Sequence, residues 1–121
     1  MKVLVTSKSF GKLSRKPIQR LQDAGFEVYG NEKGRLLNEE EMVEAIQGMD
    51  AVILGTEVFN RNVIDHADKL KIVSRYGVGL DKIDVEYLKE KGIALQIARN
   101  ANTNSVADHT IGLMLSLCHN I

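Results

Sequence analysis

Leu70-Lys71-Ile72-Val73-Ser74-Arg75-Tyr76-Gly77-Val78-Gly79-Leu80-Asp81-Lys82-Ile83-Asp84 decides how this chain is read. An apolar run stops at Arg75. Two glycines and a charged turn follow, and a helical pattern begins at Val85. This is how a strand hands over to a helix with a backbone-lined concavity between them. The strand is expected over residues 70–74.

Working outward, each flank repeats the same alternation. Ala51-Val52-Ile53-Leu54 is a continuous apolar run that ends at Gly55-Thr56-Glu57, a strand followed by a loop. Asn60 or Asn62 then starts a short helix through Val63, Ile64 and Ala67. Further back, Asn38 caps a helix with Glu39, Glu40 and Glu41 in its first turn, where negative charge suits the helix dipole. Met42, Val43 and Ile46 form its apolar face, and Gly48 closes it. Residues 3–6 and 26–29 read as the first two strands. Between them lie a polar loop at 7–11 and a helix with Ser14 as N-cap. That helix has Pro17 near its first turn, a face of Ile18, Leu21 and Ala24, and Gly25 just past its end. On the other side a helix from Val85 stops at Gly92, a fifth strand covers 93–97, and a polar loop covers 98–102. Residues 103–121 form a long helical pattern. Its stripe of Val106, Ala107, Ile111, Leu113, Met114, Leu117, Cys118 and Ile121 is wide, so the helix is expected to bury more than one side.

Five strands alternating with helices predict an α/β fold: a parallel sheet, covered on both faces through right-handed crossovers, plus a long C-terminal helix. Ligands of such sheets bind beyond the carboxyl ends of the strands. The loops there are 7–11, 55–57, 75–79 and 98–102, and they are expected to form one rim.

Composition narrows the function classes. The 121 residues carry 16 basic and 16 acidic side chains, so no basic face argues for nucleic acid. No apolar run approaches the ~20 residues that cross a bilayer. Residues 1–6 read as a strand rather than a signal peptide. The one cysteine, Cys118, excludes an internal disulfide, and a cytoplasmic protein is the expectation.

Gly77-Val78-Gly79 invites a dinucleotide-binding reading. The fingerprint needs a small residue where Lys82 stands, which weakens that reading. The alternatives are a tight turn needing glycine torsions, or a small-anion site of successive backbone N–H groups with Arg75 beside it. Asp108-His109 resembles an acid–base pair, but neighbours on a helix point about 100° apart. His109 therefore reads as a surface or interface residue. His66 and His119 stand alone and suggest no metal site. Cys118, Met42, Met49 and Met114 read as packing residues.

The stretch from Ser74 to Asp84 resembles the substrate-domain signature of the D-isomer-specific 2-hydroxyacid dehydrogenases, nearest to the phosphoglycerate dehydrogenase-like members. Val5-Thr6-Ser7-Lys8-Ser9-Phe10-Gly11, Gly55-Thr56-Glu57 and the run from Ala101 to Leu115 agree with it. The resemblance implies a flavodoxin-like substrate domain at 1–102, and a helix at 103–121 that crosses to an NAD-binding domain. It implies a substrate carboxylate held by the backbone at Val78 and Gly79. The candidate substrate-binding set is Arg75, Tyr76, Gly77, Val78, Gly79, Ser9 and Thr56. Hydride would pass between NAD and C2 of a 2-hydroxy acid, using an Arg, a Glu and a His that this stretch does not include. No catalytic, cofactor-binding or metal residue is therefore assigned within these 121 residues. The family's Asn-Thr-Pro-Gly at the hinge is replaced by Ile97-Ala98-Arg99-Asn100, which puts the hinge geometry in question.

The expected function is the substrate-binding part of an NAD-dependent oxidoreductase acting on a 3-phosphoglycerate-like 2-hydroxy acid, inactive alone. Its expected partners are a small 2-hydroxy or 2-oxo acid and either a second copy (a homodimer) or a separate NAD-binding domain. The alternative is a non-enzymatic module that self-associates through residues 103–121.

Overall fold

The computed structural model describes all of residues 1–121. Five strands, β1 (Lys2–Val5), β2 (Glu27–Gly30), β3 (Ala51–Leu54), β4 (Ile72–Arg75) and β5 (Ala94–Ile97), alternate with five helices. The helices are α1 (Lys16–Asp23), α2 (Glu39–Ile46), α3 (Arg61–Asp65), α4 (Val85–Glu90) and α5 (Thr103–His119). All strand pairs are parallel, in the order β2-β1-β3-β4-β5. This is the flavodoxin-like order, whose direction reverses between β1 and β3.

Each element forms for a local reason. Asn38 accepts the Glu41 N–H at 2.9 Å, and Glu41 accepts the Asn38 N–H at 2.9 Å, a complete capping box. Glu41 also pairs with Arg35 at 2.6 Å and Lys33 at 2.7 Å, and these partners hold its carboxyl well below the usual carboxylate range. Asn60, rather than Asn62, caps α3, and Asp84 caps α4. Ser14 does not cap α1; Arg15 takes that position, and Ser14 Oγ accepts the Lys16 N–H at 3.3 Å. Strand ends shift from the sequence expectation by one or two residues. Leu70 is buried ahead of β4 rather than within it, because β4 takes its register from β3 with Ile72 opposite Ala51.

The sheet is not covered equally. Leu4, Val52, Leu54 and Val73 form the main core with Met42 and Ile46 of α2, Val63 and Ile64 of α3, and Leu88 of α4. Right-handed crossovers put those three helices on one face and α1 alone on the other. No residue of α1 is buried, and on the sheet Ile53 and Ile72 are only half-buried.

The expectation that residues 103–121 bury more than one side also fails: α5 buries none. Val106, Ile111, Leu113, Met114 and Leu117 are each more than half exposed, and Cys118 is exposed. The helix leaves the sheet edge after β5, so its apolar stripe meets no core. No helix is long and apolar enough to cross a membrane.

Candidate functional site

Parallel pairing brings the loops after β1, β3, β4 and β5 to one edge of the sheet, and contacts link them. Phe10 meets Tyr76 edge-on with ring centroids 5.8 Å apart. The Ala98 N–H donates to the Gly77 carbonyl at 3.0 Å. Phe59 N–H donates to Lys82 O at 2.8 Å and Asp84 N–H to Phe59 O at 3.1 Å, a one-residue parallel bridge that ties the loop after β3 to the turn after β4.

The turn is built around Arg75. Its Nε donates to the Gly79 carbonyl at 2.9 Å and its Nη1 to the Tyr76 carbonyl at 2.6 Å. The guanidinium fork, expected to face a ligand, therefore grips the turn itself. Its positive charge stays at the site, and its Nη2 keeps two N–H donors without a partner in the protein. Gly77 has φ +141°, and a Cβ there would lie 3.1 Å from Arg75 Nη1. Glycine is obligatory at this position. Gly79 does not have a left-handed backbone, so only the first of the two glycines answers to torsion. A Cβ on Gly79 would meet Asp81 Oδ1 at 3.2 Å.

The amide N–H groups of Val78, Gly79 and Leu80 have no acceptor within the protein. Three successive unpaired donors, on a turn gripped by a guanidinium, are a donor set suited to carboxylate or phosphate oxygens.

Three cavities open around this turn. One of about 150 Å³ is lined by Thr56, Glu57, Arg75, Gly79, Asp81 and Lys82, among others. One of about 400 Å³ lies at the β1/β3 reversal, against Ser7, Lys8, Ser9, Gly55, Thr56 and Tyr76. A third, about 240 Å³, is lined by Tyr76, Gly77, Ala98, Ala101 and Asn102. Six of the seven residues singled out from the sequence thus line one rim, with Thr56 and Tyr76 each shared between two cavities. Val78 lines none of the three and is 44% exposed.

Sequence reasoning left Lys8, Glu57, Asp81, Lys82 and Asn102 unassigned. Their signal was position: each stands in or just past a strand-end loop. Asp108 and His109 lie on exposed α5. No group of three or more His, Cys, Asp or Glu is arranged to hold a metal ion.

At the hinge, Asn100 has φ +59°. Asparagine is the residue besides glycine that tolerates this left-handed conformation. The segment from Ile97 to Asn100 thus ends on a left-handed backbone without a glycine.

Residues 3–114 match the family model described as D-isomer specific 2-hydroxyacid dehydrogenase, catalytic domain. The chain is 42% identical over 123 aligned positions to D-3-phosphoglycerate dehydrogenase of Methanocaldococcus jannaschii, covering 100% of this chain and 22% of that protein. Among solved structures, the NAD+-bound 3-phosphoglycerate dehydrogenase of Entamoeba histolytica superposes with TM-score 0.84 at 32% identity, over 96% of this chain and 38% of that one. TT0316 protein of Thermus thermophilus superposes with TM-score 0.84 at 30% identity, over 96% of this chain and 36% of that one. The chain therefore spans well under half the length of these relatives. Over nearly all of its own length, it belongs to the D-isomer specific 2-hydroxyacid dehydrogenase family.

Proposed function

We propose that these 121 residues are the acid-binding part of an NAD-dependent oxidoreductase acting on the CH–OH group of a 2-hydroxy acid of the 3-phosphoglycerate type. The observation that carries this reading is the run of unpaired amides at Val78, Gly79 and Leu80 in the turn that the Arg75 guanidinium grips. A carboxylate placed there accepts charge-assisted hydrogen bonds from fixed backbone donors, at little further ordering cost. Ser9, Thr56 and Tyr76 line the adjoining cavity, where the rest of a small acid would lie. The names of the M. jannaschii and E. histolytica relatives support 3-phosphoglycerate as the first acid to try.

The residues present do not fit NAD. Lys82 stands where the dinucleotide turn needs a small residue, so no step is routed through the cofactor here. In this reading residues 1–102 bind the acid, and the helix at 103–121 leads to a cofactor-binding domain on the same or another chain. The exposed stripe on α5 also favours a second role, self-association of two copies when no such domain covers it.

Calorimetric titration with 3-phosphoglycerate, D-lactate and NAD tests the reading. The expected result is saturable binding of 3-phosphoglycerate and none of NAD. NAD binding without acid binding would overturn it.

A further inference from the structure

The loop that carries Thr56 is held in an unusual way. No backbone N–H or C=O of residues 55–58 exchanges a hydrogen bond with any other backbone group. On either side the chain is fixed, by Tyr76 N–H on the Leu54 carbonyl at 2.8 Å and by Phe59 N–H on Lys82 O at 2.8 Å. Between those points the anchor is made of side chains. The Gly55 N–H donates to Thr6 Oγ1 at 2.8 Å, and Thr6 Oγ1 donates to Glu57 Oε2 at 2.7 Å. Both side chains are buried, Thr6 at 0% exposure and Glu57 at 3%.

This arrangement is expensive. Glu57 Oε1 is buried with no partner, and no Lys or Arg comes within ion-pair distance of the carboxylate. A buried carboxylate so poorly satisfied destabilises the fold relative to an apolar side chain of the same shape. Its position explains what it does. Glu57 folds back over Gly55 so closely that a Cβ at Gly55 would sit 2.8 Å from Oε2 and 3.3 Å from the Ser7 Cα. The pair therefore locks three things together: the end of β1, the end of β3, and the loop whose Thr56 faces both Gly79 in one cavity and Tyr76 in the next.

We propose that Thr6 and Glu57 are positioning residues for the acid site: their buried hydrogen-bond relay sets the Gly55–Thr56 wall against the Arg75–Gly79 turn. The Thr6 backbone N–H extends the β1–β3 ladder by donating to the Ile53 carbonyl at 3.0 Å, while the relay runs through its hydroxyl, so a substitution that removes only the hydroxyl acts on the wall and leaves that ladder bond in place. This inference rests on the acid-binding reading only for what the wall contacts, not for the anchoring itself.

The test uses Thr6→Val, which removes the hydroxyl at nearly constant volume, Thr6→Ser, which restores it, and Gly55→Ala, which pushes Glu57 aside. Amide hydrogen exchange reads the anchor without any ligand, and titration with 3-phosphoglycerate reads the site. Thr6→Val and Gly55→Ala are expected to keep the protection of the β1 and β3 ladder amides. The Gly55 amide is expected to lose protection about tenfold or more in Thr6→Val. 3-Phosphoglycerate affinity should fall by a similar factor in both variants, and Thr6→Ser should recover protection and affinity together. Unchanged Gly55 protection in a folded Thr6→Val protein would overturn the proposal, whether or not an acid binds. So would lost Gly55 protection with unchanged 3-phosphoglycerate affinity. If Gly55 protection is lost but the wild-type protein binds no acid, the anchor stands and the acid-binding reading falls instead.

Discussion

Arg75 Nε donates to the carbonyl of Gly79 at 2.9 Å, so the side chain at the end of β4 holds the far end of the turn it begins. A planar guanidinium reaches two carbonyls of one turn at fixed angles; an ammonium does not. Arg75→Lys is therefore expected to fold, with a loss of about 1–3 kcal/mol from the hydrogen bonds to a charged donor. It should also weaken acid binding although the charge is kept. Denaturant unfolding and calorimetric titration of the same variant check both parts.

The two glycines of the turn separate stability from binding. At Gly77, φ +141° and a 3.1 Å approach to Arg75 Nη1 make Gly77→Ala costly to the fold, by about 1–3 kcal/mol. At Gly79 there is no such torsion, and the first atom met is the carboxylate oxygen of Asp81 at 3.2 Å. Gly79→Ala should cost less than about 1 kcal/mol, since only a flexible exposed side chain must shift. A larger residue there, Gly79→Val, should cover the free amides and abolish acid binding. Thermal melts paired with titration distinguish the two positions.

The carboxyl of Glu41 is held below its ordinary value, first by the hydrogen bond from Arg35, then by Lys33 and the Asn38 amide. A depressed folded-state value adds stability above the unfolded value of about 4.3, and that stability is lost as pH falls toward the folded one. Wild-type stability should therefore decline with acid below about pH 5. Glu41→Gln should flatten that decline. Asn38→Ala removes the other half of the capping box and is expected to cost about 1 kcal/mol at neutral pH. Urea unfolding across pH 3–7 measures all three proteins.

On α5, Leu113 is 53% exposed and Leu117 is 82% exposed, beside Met114 at 61%. A face of this kind is expected to associate when nothing covers it. Light scattering at micromolar concentration should show a species larger than one chain. Leu113→Gln with Leu117→Gln should return it to monomer without lowering the melting temperature, because neither side chain supports the core.

The pattern of apolar runs and glycine breaks was enough to place all five strands and their helices. The run 51–54 is β3 without adjustment, because a strand buried in the middle of a parallel sheet reads as an unbroken apolar run. The ends of β2 and β4 were less legible, since register with a neighbour decides them and register is not local. Asn38 as a cap was visible because the capping box is a local device. The amphipathic stripe of α5 was visible too, but not the absence of anything against it, which depends on where the chain leaves the sheet. The rim was legible because parallel topology gathers strand-end loops. Two features of it were hidden. Arg75 looked like a ligand donor and grips its own turn, since a side chain's target depends on φ and ψ two to four residues away. Glu57 reads from the sequence only as part of the loop after β3, and its burial is not visible there because its partner Thr6 lies 51 residues earlier in the sequence.

In the proposed reading, the turn after β4 is a carboxylate site made of backbone donors. Residue-resolved NMR titration of the 121-residue protein with 3-phosphoglycerate tests it most directly. Saturable shifts are expected to be led by the amides of Val78, Gly79 and Leu80, followed by Thr56 and Tyr76, and to disappear in Gly79→Val. Shifts that spare these amides, or a folded Gly79→Val protein that binds the acid as tightly as wild type, would contradict it.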